Sequence, residues 1–201
     1  MEQEENHEKG LRRSWARNQM GNPELIGGIE KREVVIVDYN PLWPEKFQKH
    51  SAIIARALGP KALCIEHAGS TSVPGLAAKP IIDIVVAVDD SGDEEAYLPA
   101  LLSAGYVLRV REPDWHQHRM LRTPELDVHV HIFSSGCVEI TRMLAFRDHL
   151  RSNGEDRLRY AALKRDLAKR DWPDMNEYAR AKRELVEHIT TRALQEGDNV
   201  F

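Results

Sequence analysis

An acidic residue interrupts an otherwise apolar segment in the middle of the chain. Asp83 lies within residues 81–88, and every other residue of that segment is aliphatic. Such a run is typical of a strand buried on both faces of a sheet, where an ionised carboxylate without partners is costly. We therefore expect Asp83 to face a cleft at the C-terminal end of its strand, where ligands bind in open α/β sheets. The alternative is a structural salt bridge to Lys79 or to an arginine.

A second polar group lies on the most regularly alternating segment of the sequence, residues 126–133. Its even-numbered residues are aliphatic, whereas Asp127, His129 and His131 fall on the opposite face of the predicted strand. Two imidazoles and a carboxylate are suitable ligands for one divalent metal ion. The same alternation describes a half-exposed strand whose polar face meets solvent, and the pattern favours neither interpretation.

Small and hydroxylated residues follow another predicted strand, residues 62–67. This strand ends at His67, and the turn after it contains Gly69, Ser70, Thr71 and Ser72. Backbone N–H groups and hydroxyls in such a turn can bind a phosphate, and glycine allows the backbone to approach a ligand closely. A plain loop is the alternative, and the segment is not a Walker loop because no Gly-Lys-Ser/Thr follows.

Lysines recur at positions from which they can reach the same cleft. Lys164 follows Tyr160 by four residues, and Lys182 follows Tyr178 by four, so each pair lies on one face of a helix. Lys79 immediately precedes the strand that contains the interrupting aspartate. These ammonium groups can contact phosphate oxygens. The alternative is that they lie on solvated faces with their apolar stems packed against the protein.

The elements around these residues predict an α/β (α+β) domain. A β-branched run at 34–37 predicts a first strand, and Pro44 opens a helix that Gly59 ends. Together with the strands above and those expected at 106–110 and 118–121, this gives a mixed sheet of about five strands with two interleaved helices. The C-terminal third is helical, with helices expected at about 138–152, 155–170 and 175–196.

The bulk composition limits the class of protein. The net charge is −4 from 28 basic and 32 acidic side chains, which gives no strong nucleic-acid signal. The two cysteines form neither a disulfide framework nor a zinc spacing. No apolar run spans a bilayer and no secretory signal is present, so we expect a cytoplasmic protein. Residues 1–31 are polar and predict a mostly disordered extension, followed by a single domain at 32–197.

One long motif resembles the signature of a known family. The stretch His67-Ala-Gly-Ser-Thr-Ser-Val-Pro-Gly-Leu-Ala-Ala-Lys-Pro-Ile-Ile-Asp-Ile84 is similar to the signature of the GrpB family. Further matches are Tyr39-Asn-Pro-Leu-Trp-Pro, His129-Val-His131, Tyr160-Ala-Ala-Leu-Lys164 and Tyr178-Ala-Arg-Ala-Lys182. The resemblance covers about residues 33–192.

The resemblance implies a nucleotidyltransferase-like fold with a metal-dependent site. In that superfamily a Gly-Ser turn is followed by two aspartates one residue apart, and a later strand supplies a third carboxylate; together they hold Mg²⁺ or Mn²⁺. Gly69 and Ser70 match the turn and Asp83 matches one aspartate. The partner position is Ile81 or Val85, neither of which binds a metal. The third ligand is then Asp127, or His129 and His131 replace it.

Three functions follow from this pattern, and whether the protein is an enzyme stays open. The first is transfer of a nucleotidyl group from a nucleoside triphosphate to an unknown acceptor, with Asp83 and Lys79 as catalytic residues. In this first function, the residues that bind the substrate are His67, the turn 69–72, Lys164, Tyr178 and Lys182. The second is non-catalytic binding of a nucleotide or another phosphorylated small molecule, which the missing second aspartate favours. The third is metal-dependent hydrolysis of a phosphorylated small molecule. The oligomeric state is not predicted.

Overall fold

The computed structural model describes residues 23–198. Most of the predicted N-terminal extension, residues 1–22, lies outside the described residues. The last part of the predicted extension is structured, since Glu24–Leu25 forms a short strand, β1. Arg109 fixes the chain that follows β1, donating hydrogen bonds to the carbonyl oxygens of Ile26 and Gly28. The ordered unit therefore begins before residue 32.

A six-stranded mixed sheet forms the centre of the described chain, with strand order β1-β4-β5-β6-β3-β2. The remaining strands are β2 (Cys64–Ala68), β3 (Ile82–Val88), β4 (Val107–Glu112), β5 (His118–Arg122) and β6 (Val128–Ser134). The central strands β3 and β6 are parallel, and every other pairing is antiparallel. The predicted α/β class, with its mixed sheet, flanking helices and helical C-terminal third, is confirmed.

The predicted strand at 34–37 is wrong. Val37 forms an isolated bridge with Ala78, and its neighbours make no ladder. The apolar residues of this segment have a different role: Val34 and Ile36 pack against the C-terminal helices, whereas Val35 is exposed. This bridge holds the 34–37 segment beside the chain that leads into β3.

Helices cover both faces of the sheet. They are α1 (Trp43–Leu58), α2 (Glu94–Ser103), α3 (Val138–Ser152), α4 (Gly154–Ala168), α5 (Met175–Ala181) and α6 (Arg183–Asp198). The single helix predicted at 175–196 is divided at Lys182, because α5 packs on the Val34 and Leu167 cluster while α6 packs on α3. Among the described residues, none of these helices has the length and hydropathy needed to cross a bilayer.

The two faces of β3 and β6 have different neighbours. The even-numbered aliphatic residues of both strands are buried against α1 and α2 in the main core. On the opposite face, Val85 and Phe133 pack against residues of α3 such as Ile140. Asp83 and His129 also lie on this second face, each as the second residue of its strand, and α3 leaves them partly accessible. The expectation that Asp83 lies at the C-terminal end of its strand is therefore wrong.

Candidate functional site

The structure brings Asp83, His129 and His131 together on one face of the sheet. In the parallel pairing of β3 with β6, Asp83 is opposite His129 and Val85 is opposite His131. The Oδ1 atom of Asp83 lies 3.4 Å from Nδ1 of His129 and 3.6 Å from Nε2 of His131. Burial alone would raise the pKa of Asp83, but the two imidazoles outweigh it and hold this pKa far below its ordinary value. Asp83 is therefore a carboxylate at neutral pH.

These three side chains fit a divalent metal ion. One ligand atom from each lies within 4.8 Å of the other two. The set offers one oxygen and two nitrogen donors, all on strands whose pairing fixes their spacing. Residues 81 and 85, where the superfamily pattern places a second aspartate, are aliphatic, and Val85 is fully buried.

Asp127 does not join this group, so the expectation that it shares a face with the two histidines is wrong. Strand β6 begins only at Val128, and the alternation therefore does not extend back to residue 127. Its carboxylate instead pairs with the ammonium of Lys46 on α1 and accepts a hydrogen bond from the Thr123 hydroxyl at 2.7 Å. Asp127 joins the end of β6 to α1.

The turn at 69–72 packs directly on Asp83. Gly69 has a φ of 64° and a ψ of −172°, and a Cβ atom at this position would overlap the Asp83 carboxylate. The Ser72 hydroxyl donates to the Gly69 carbonyl at 2.6 Å, and the Thr71 hydroxyl donates to the Ile81 carbonyl at 3.1 Å. Thr71 and Ser72 thus hold the turn in shape, and the Ser70 side chain reaches towards Tyr160.

His67 supports the turn from behind. Its Nε2 atom lies 3.1 Å from the Thr71 hydroxyl, and its ring stacks on Phe47 with centroids 4.7 Å apart. Burial lowers the pKa of His67 to about 4. His67 is therefore a neutral ring at physiological pH. His67 was predicted to bind the substrate, and the structure places it behind the turn, which it holds in position.

Three lysines and two tyrosines form a second group near Asp83. The ammonium groups of Lys79 and Lys182 lie 4.9 Å and 4.4 Å from the centroid of the Tyr178 ring, respectively. Lys164 lies 4.5 Å from the centroid of the Tyr160 ring and is only 2% exposed. No group among residues 23–198 hydrogen-bonds the Lys164 Nζ or the Tyr178 hydroxyl. The predicted residues Lys79, Lys164, Tyr178 and Lys182 therefore come together.

Burial disfavours the charged form of all three lysines. Burial, together with a smaller effect of the nearby Lys182, lowers the pKa of Lys164 to about 6. Burial also lowers the pKa of Lys79 and of Lys182 to about 8 each. The charge of Asp83 acts in the opposite direction on all three, which shows that the ammonium groups and the carboxylate share one region. We call Lys79, Lys164 and Lys182 the lysine cluster.

Sequence reasoning missed two residues behind the histidines. His118 on β5 lies with its Nε2 atom 3.0 Å from Nδ1 of His131. Its other nitrogen, Nδ1, lies 2.7 Å from a carboxylate oxygen of Glu112, which is directly opposite on β4. The sequence placed His118 in a strand, but a single histidine there gave no sign of its partners. Strand pairing places His118 next to His131 and Glu112 next to His118.

Sequence reasoning also missed a cleft of about 600 Å³ beside the turn, which His67 and Ser72 border. Arg147 and Arg151 line it and hold the surrounding chain. Arg147 pairs with Glu66 at 2.8 Å, and Arg151 donates to the Ser72 carbonyl at 3.0 Å. Their guanidinium groups therefore fix the outer side of the turn. Both arginines belong to Leu144-Ala-Phe-Arg-Asp-His-Leu-Arg, a further match to the family signature, but this match predicted no role for them.

Comparison with known proteins agrees with the motif. The family described as GrpB protein matches residues 33–192. A UPF0157 protein of Halalkalibacterium halodurans is 51% identical over 160 residues, which are 80% of this chain and 82% of that protein. A UPF0157 protein of Streptomyces coelicolor is 51% identical over 170 residues, 85% of this chain and 89% of that protein. The crystal structure of conserved protein GrpB from Enterococcus faecalis matches with a TM-score of 0.70 and 32% identity, covering 81% of this chain and 98% of that one. The chain belongs to the GrpB family.

Proposed function

We propose that this protein binds a nucleoside triphosphate beside a divalent metal ion and transfers its nucleotidyl group to an acceptor. The observation that carries the proposal is the buried Lys164 amino group, which has no hydrogen-bond partner among residues 23–198 and lies with Lys79 and Lys182 in the region of Asp83. A buried ammonium without a counter-charge is costly to the fold. Such a cost is typical of a site whose ligand supplies the missing charge.

The charge of the lysine cluster suits a polyphosphate. The lysines repel one another when charged: Lys182 lowers the pKa of both Lys79 and Lys164, in addition to the larger effect of burial. A single carboxylate, Asp83, opposes them and is itself engaged by two imidazoles. A triphosphate carries several negative charges along a chain of oxygens and can engage all three lysines at once.

Each group has a role in this proposal. Asp83, His129 and His131 hold the metal ion, for which the family resemblance implies Mg²⁺ or Mn²⁺; when bound, it polarises the phosphoryl oxygens. The backbone of Gly69 and Ser70 positions the phosphate next to Asp83. The acceptor attacks the α-phosphorus, and pyrophosphate leaves. The lysine cluster stabilises the charge that develops on the leaving pyrophosphate.

Non-catalytic binding of a nucleotide or a phosphorylated small molecule is the second candidate. The absence of a carboxylate at 81 and 85 favours it, because transfer in the superfamily pattern relies on a second aspartate. In this case the lysine cluster and the turn bind the phosphates, and no bond breaks. Hydrolysis of a phosphorylated small molecule at Asp83, His129 and His131 is a third candidate, and it differs in releasing phosphate or pyrophosphate without an acceptor.

Binding of ATP, GTP, CTP and UTP by the purified protein, each with and without Mg²⁺ or Mn²⁺, tests the proposal. Calorimetry and the shift in melting temperature report binding, because a ligand of the folded state raises that temperature. We expect one triphosphate to bind in a metal-dependent manner, Asp83→Asn to abolish that binding, and Asp127→Asn to leave it unchanged.

The product assay separates the three candidates. Pyrophosphate that appears only when an acceptor is supplied, for instance from a metabolite extract, supports transfer. Pyrophosphate or phosphate without any acceptor supports the hydrolase, and saturable binding without product supports the binding protein. If no triphosphate binds under any metal condition, the proposed function is overturned.

A further inference from the structure

We infer that Asp83, His129 and His131 select a transition-metal ion with affinity for imidazole, such as Co²⁺ or Zn²⁺, over Mg²⁺, and that the buried Glu112–His118 pair positions His131 to bind it. The inference rests on the metal site of the proposed function and narrows the ion that this site takes. It arises from the kind of donor atoms present and from the contacts behind His131.

The donor set itself disfavours Mg²⁺. Two of the three donors are imidazole nitrogens, from His129 and His131, and the third is the Asp83 carboxylate. Mg²⁺ is a small, hard ion that prefers carboxylates, phosphates and water. Imidazole suits zinc, cobalt and their neighbours, whose affinities for nitrogen sites exceed that of Mg²⁺ by orders of magnitude.

The contacts behind His131 determine which of its nitrogens faces Asp83 with a lone pair. A carboxylate only accepts hydrogen bonds, so His118 donates from Nδ1 to Glu112 at 2.7 Å. Neutral His118 then accepts at Nε2 from the Nδ1–H group of His131 at 3.0 Å. In neutral His131 the lone pair is therefore on Nε2, 3.6 Å from Oδ1 of Asp83.

Two acceptors that face each other require a cation between them. The Asp83 oxygen and the His131 Nε2 lone pair repel at this separation unless a metal ion or a proton lies between them. Metal-binding histidines commonly donate their second N–H to a buried partner, which fixes the tautomer and the ring orientation. The His118–Glu112 pair supplies such a partner.

Packing holds the His118 ring in this orientation. Its ring stacks on His131 with centroids 5.3 Å apart and on Phe133 with centroids 4.7 Å apart. The Trp115 ring meets it edge-on at 5.3 Å, and only 5% of His118 is exposed. These contacts, together with the hydrogen bonds at both of its nitrogens, keep the ring from turning to exchange them. His118 and Glu112 are therefore positioning residues for His131.

Metal binding to the full-length protein, without nucleotide, tests this inference. Calorimetric titration with Co²⁺, Zn²⁺, Mn²⁺ and Mg²⁺ is expected to give affinities for Co²⁺ and Zn²⁺ at least about 100-fold above that for Mg²⁺. The visible absorption bands of bound Co²⁺ report nitrogen coordination directly. Asp83→Asn should remove these bands, and His188→Gln, on the exposed face of α6, should leave them unchanged.

A pair of substitutions isolates the positioning role. His118→Phe keeps the ring stack but removes the acceptor, and it should lower Co²⁺ affinity about 10–100-fold. His118→Gln can accept from His131 through its amide oxygen and should restore part of that loss. Unfolding midpoints measured on both variants identify any loss of fold, and Glu112→Gln, which keeps an acceptor for His118, gives a second variant with a smaller expected loss.

The outcomes for this inference differ from those for the proposed function. The inference is overturned if the protein binds Mg²⁺ as tightly as Co²⁺ or more tightly. It is also overturned if the His118→Phe variant folds and binds Co²⁺ with the affinity of the wild type. Either result leaves triphosphate binding with Mg²⁺ intact as a separate observation. Conversely, tight Co²⁺ binding in a protein that binds no triphosphate supports this inference and overturns the proposed function.

Discussion

Gly69 lies so close to Asp83 that no side chain fits between them: a Cβ atom at residue 69 would overlap the Asp83 carboxylate and lie 3.0 Å from its Cγ atom. The backbone at Gly69, with φ of 64° and ψ of −172°, belongs to a region that essentially only glycine occupies. The turn and the carboxylate are therefore positioned against each other, and neither can move without displacing the other.

Gly69→Ala should damage both stability and binding. The new methyl group enters a disfavoured backbone region and pushes against Asp83, and we expect a loss of about 1–3 kcal/mol in the free energy of unfolding. Denaturant unfolding measures that loss, and titration with metal and triphosphate should show both affinities strongly reduced.

Gly75→Ala is the matched control for this prediction. Gly75 also has a positive φ, 76°, but nothing lies within 4 Å of a Cβ at that position. Its cost should be limited to the backbone, about 1 kcal/mol, with ligand affinities unchanged. Equal behaviour of the two variants would show that the contact between residues 69 and 83 has no part in binding.

Lys164→Met should stabilise the ligand-free protein and abolish triphosphate binding. The substitution replaces a buried, unpartnered ammonium with an apolar chain of similar length. Burial lowers the pKa of Lys164 to about 6 from an ordinary 10.5, so the folded state binds fewer protons than the unfolded state between these values. Wild-type stability therefore rises with pH across this window.

The gain for Lys164→Met should be largest at pH 6, at about 1–4 kcal/mol, and should shrink as pH rises. Denaturant unfolding at pH 6, 7.5 and 9 measures it. Lys169→Met, at an exposed position after α4, should change stability by less than about 0.5 kcal/mol. A destabilised Lys164→Met protein would indicate that Lys164 has a structural role.

Triphosphate binding should take up protons. Lys79 and Lys182 have pKa values of about 8, and Lys164 has a pKa of about 6. A bound polyphosphate favours the charged form of each and raises these pKa values. At pH 8 we expect an uptake of about one to two protons per ligand, about half from each of Lys79 and Lys182 and up to one from Lys164, and affinity should fall from pH 7 to pH 9 as the free lysines lose their charge.

Calorimetry in Tris and in HEPES at pH 8 measures this uptake, because the two buffers differ in ionisation enthalpy. Lys182→Met should reduce the proton uptake as well as the affinity. The range above pH 7 avoids titration of the terminal phosphate, whose last pKa lies near 6. An affinity that rises with pH over this range would exclude the lysine cluster as the phosphate site.

Much of the fold and part of the site were visible in the sequence, for physical reasons. The apolar run around Asp83 and the alternation of β6 placed Asp83, His129 and His131 on the sheet, because the period of a strand fixes which residues share a face. The i,i+4 pairs placed Lys164 and Lys182 on helix faces. The structure brings these groups together as expected.

The residues that escaped prediction depend on contacts between distant segments. Asp127 follows the alternation in sequence but precedes the first residue of β6, and Lys46 of α1 pairs with it. The role of His118 depends on the pairing of β4, β5 and β6, which no local pattern reveals. Strand order is set by packing over the whole sheet, and one sequence does not state it.

Asp127→Asn separates the two carboxylates that the sequence placed in one site. Asp127 pairs with Lys46 and accepts from Thr123 at the start of β6, and both charged side chains are about one-third exposed. Since partly exposed ion pairs contribute little, the loss in unfolding free energy should stay below about 1 kcal/mol. Co²⁺ and triphosphate affinities should equal those of the wild type, whereas Asp83→Asn should lose both. A fall in Co²⁺ affinity for Asp127→Asn as large as that for Asp83→Asn would place Asp127 among the metal ligands and would require α1 to release it on binding.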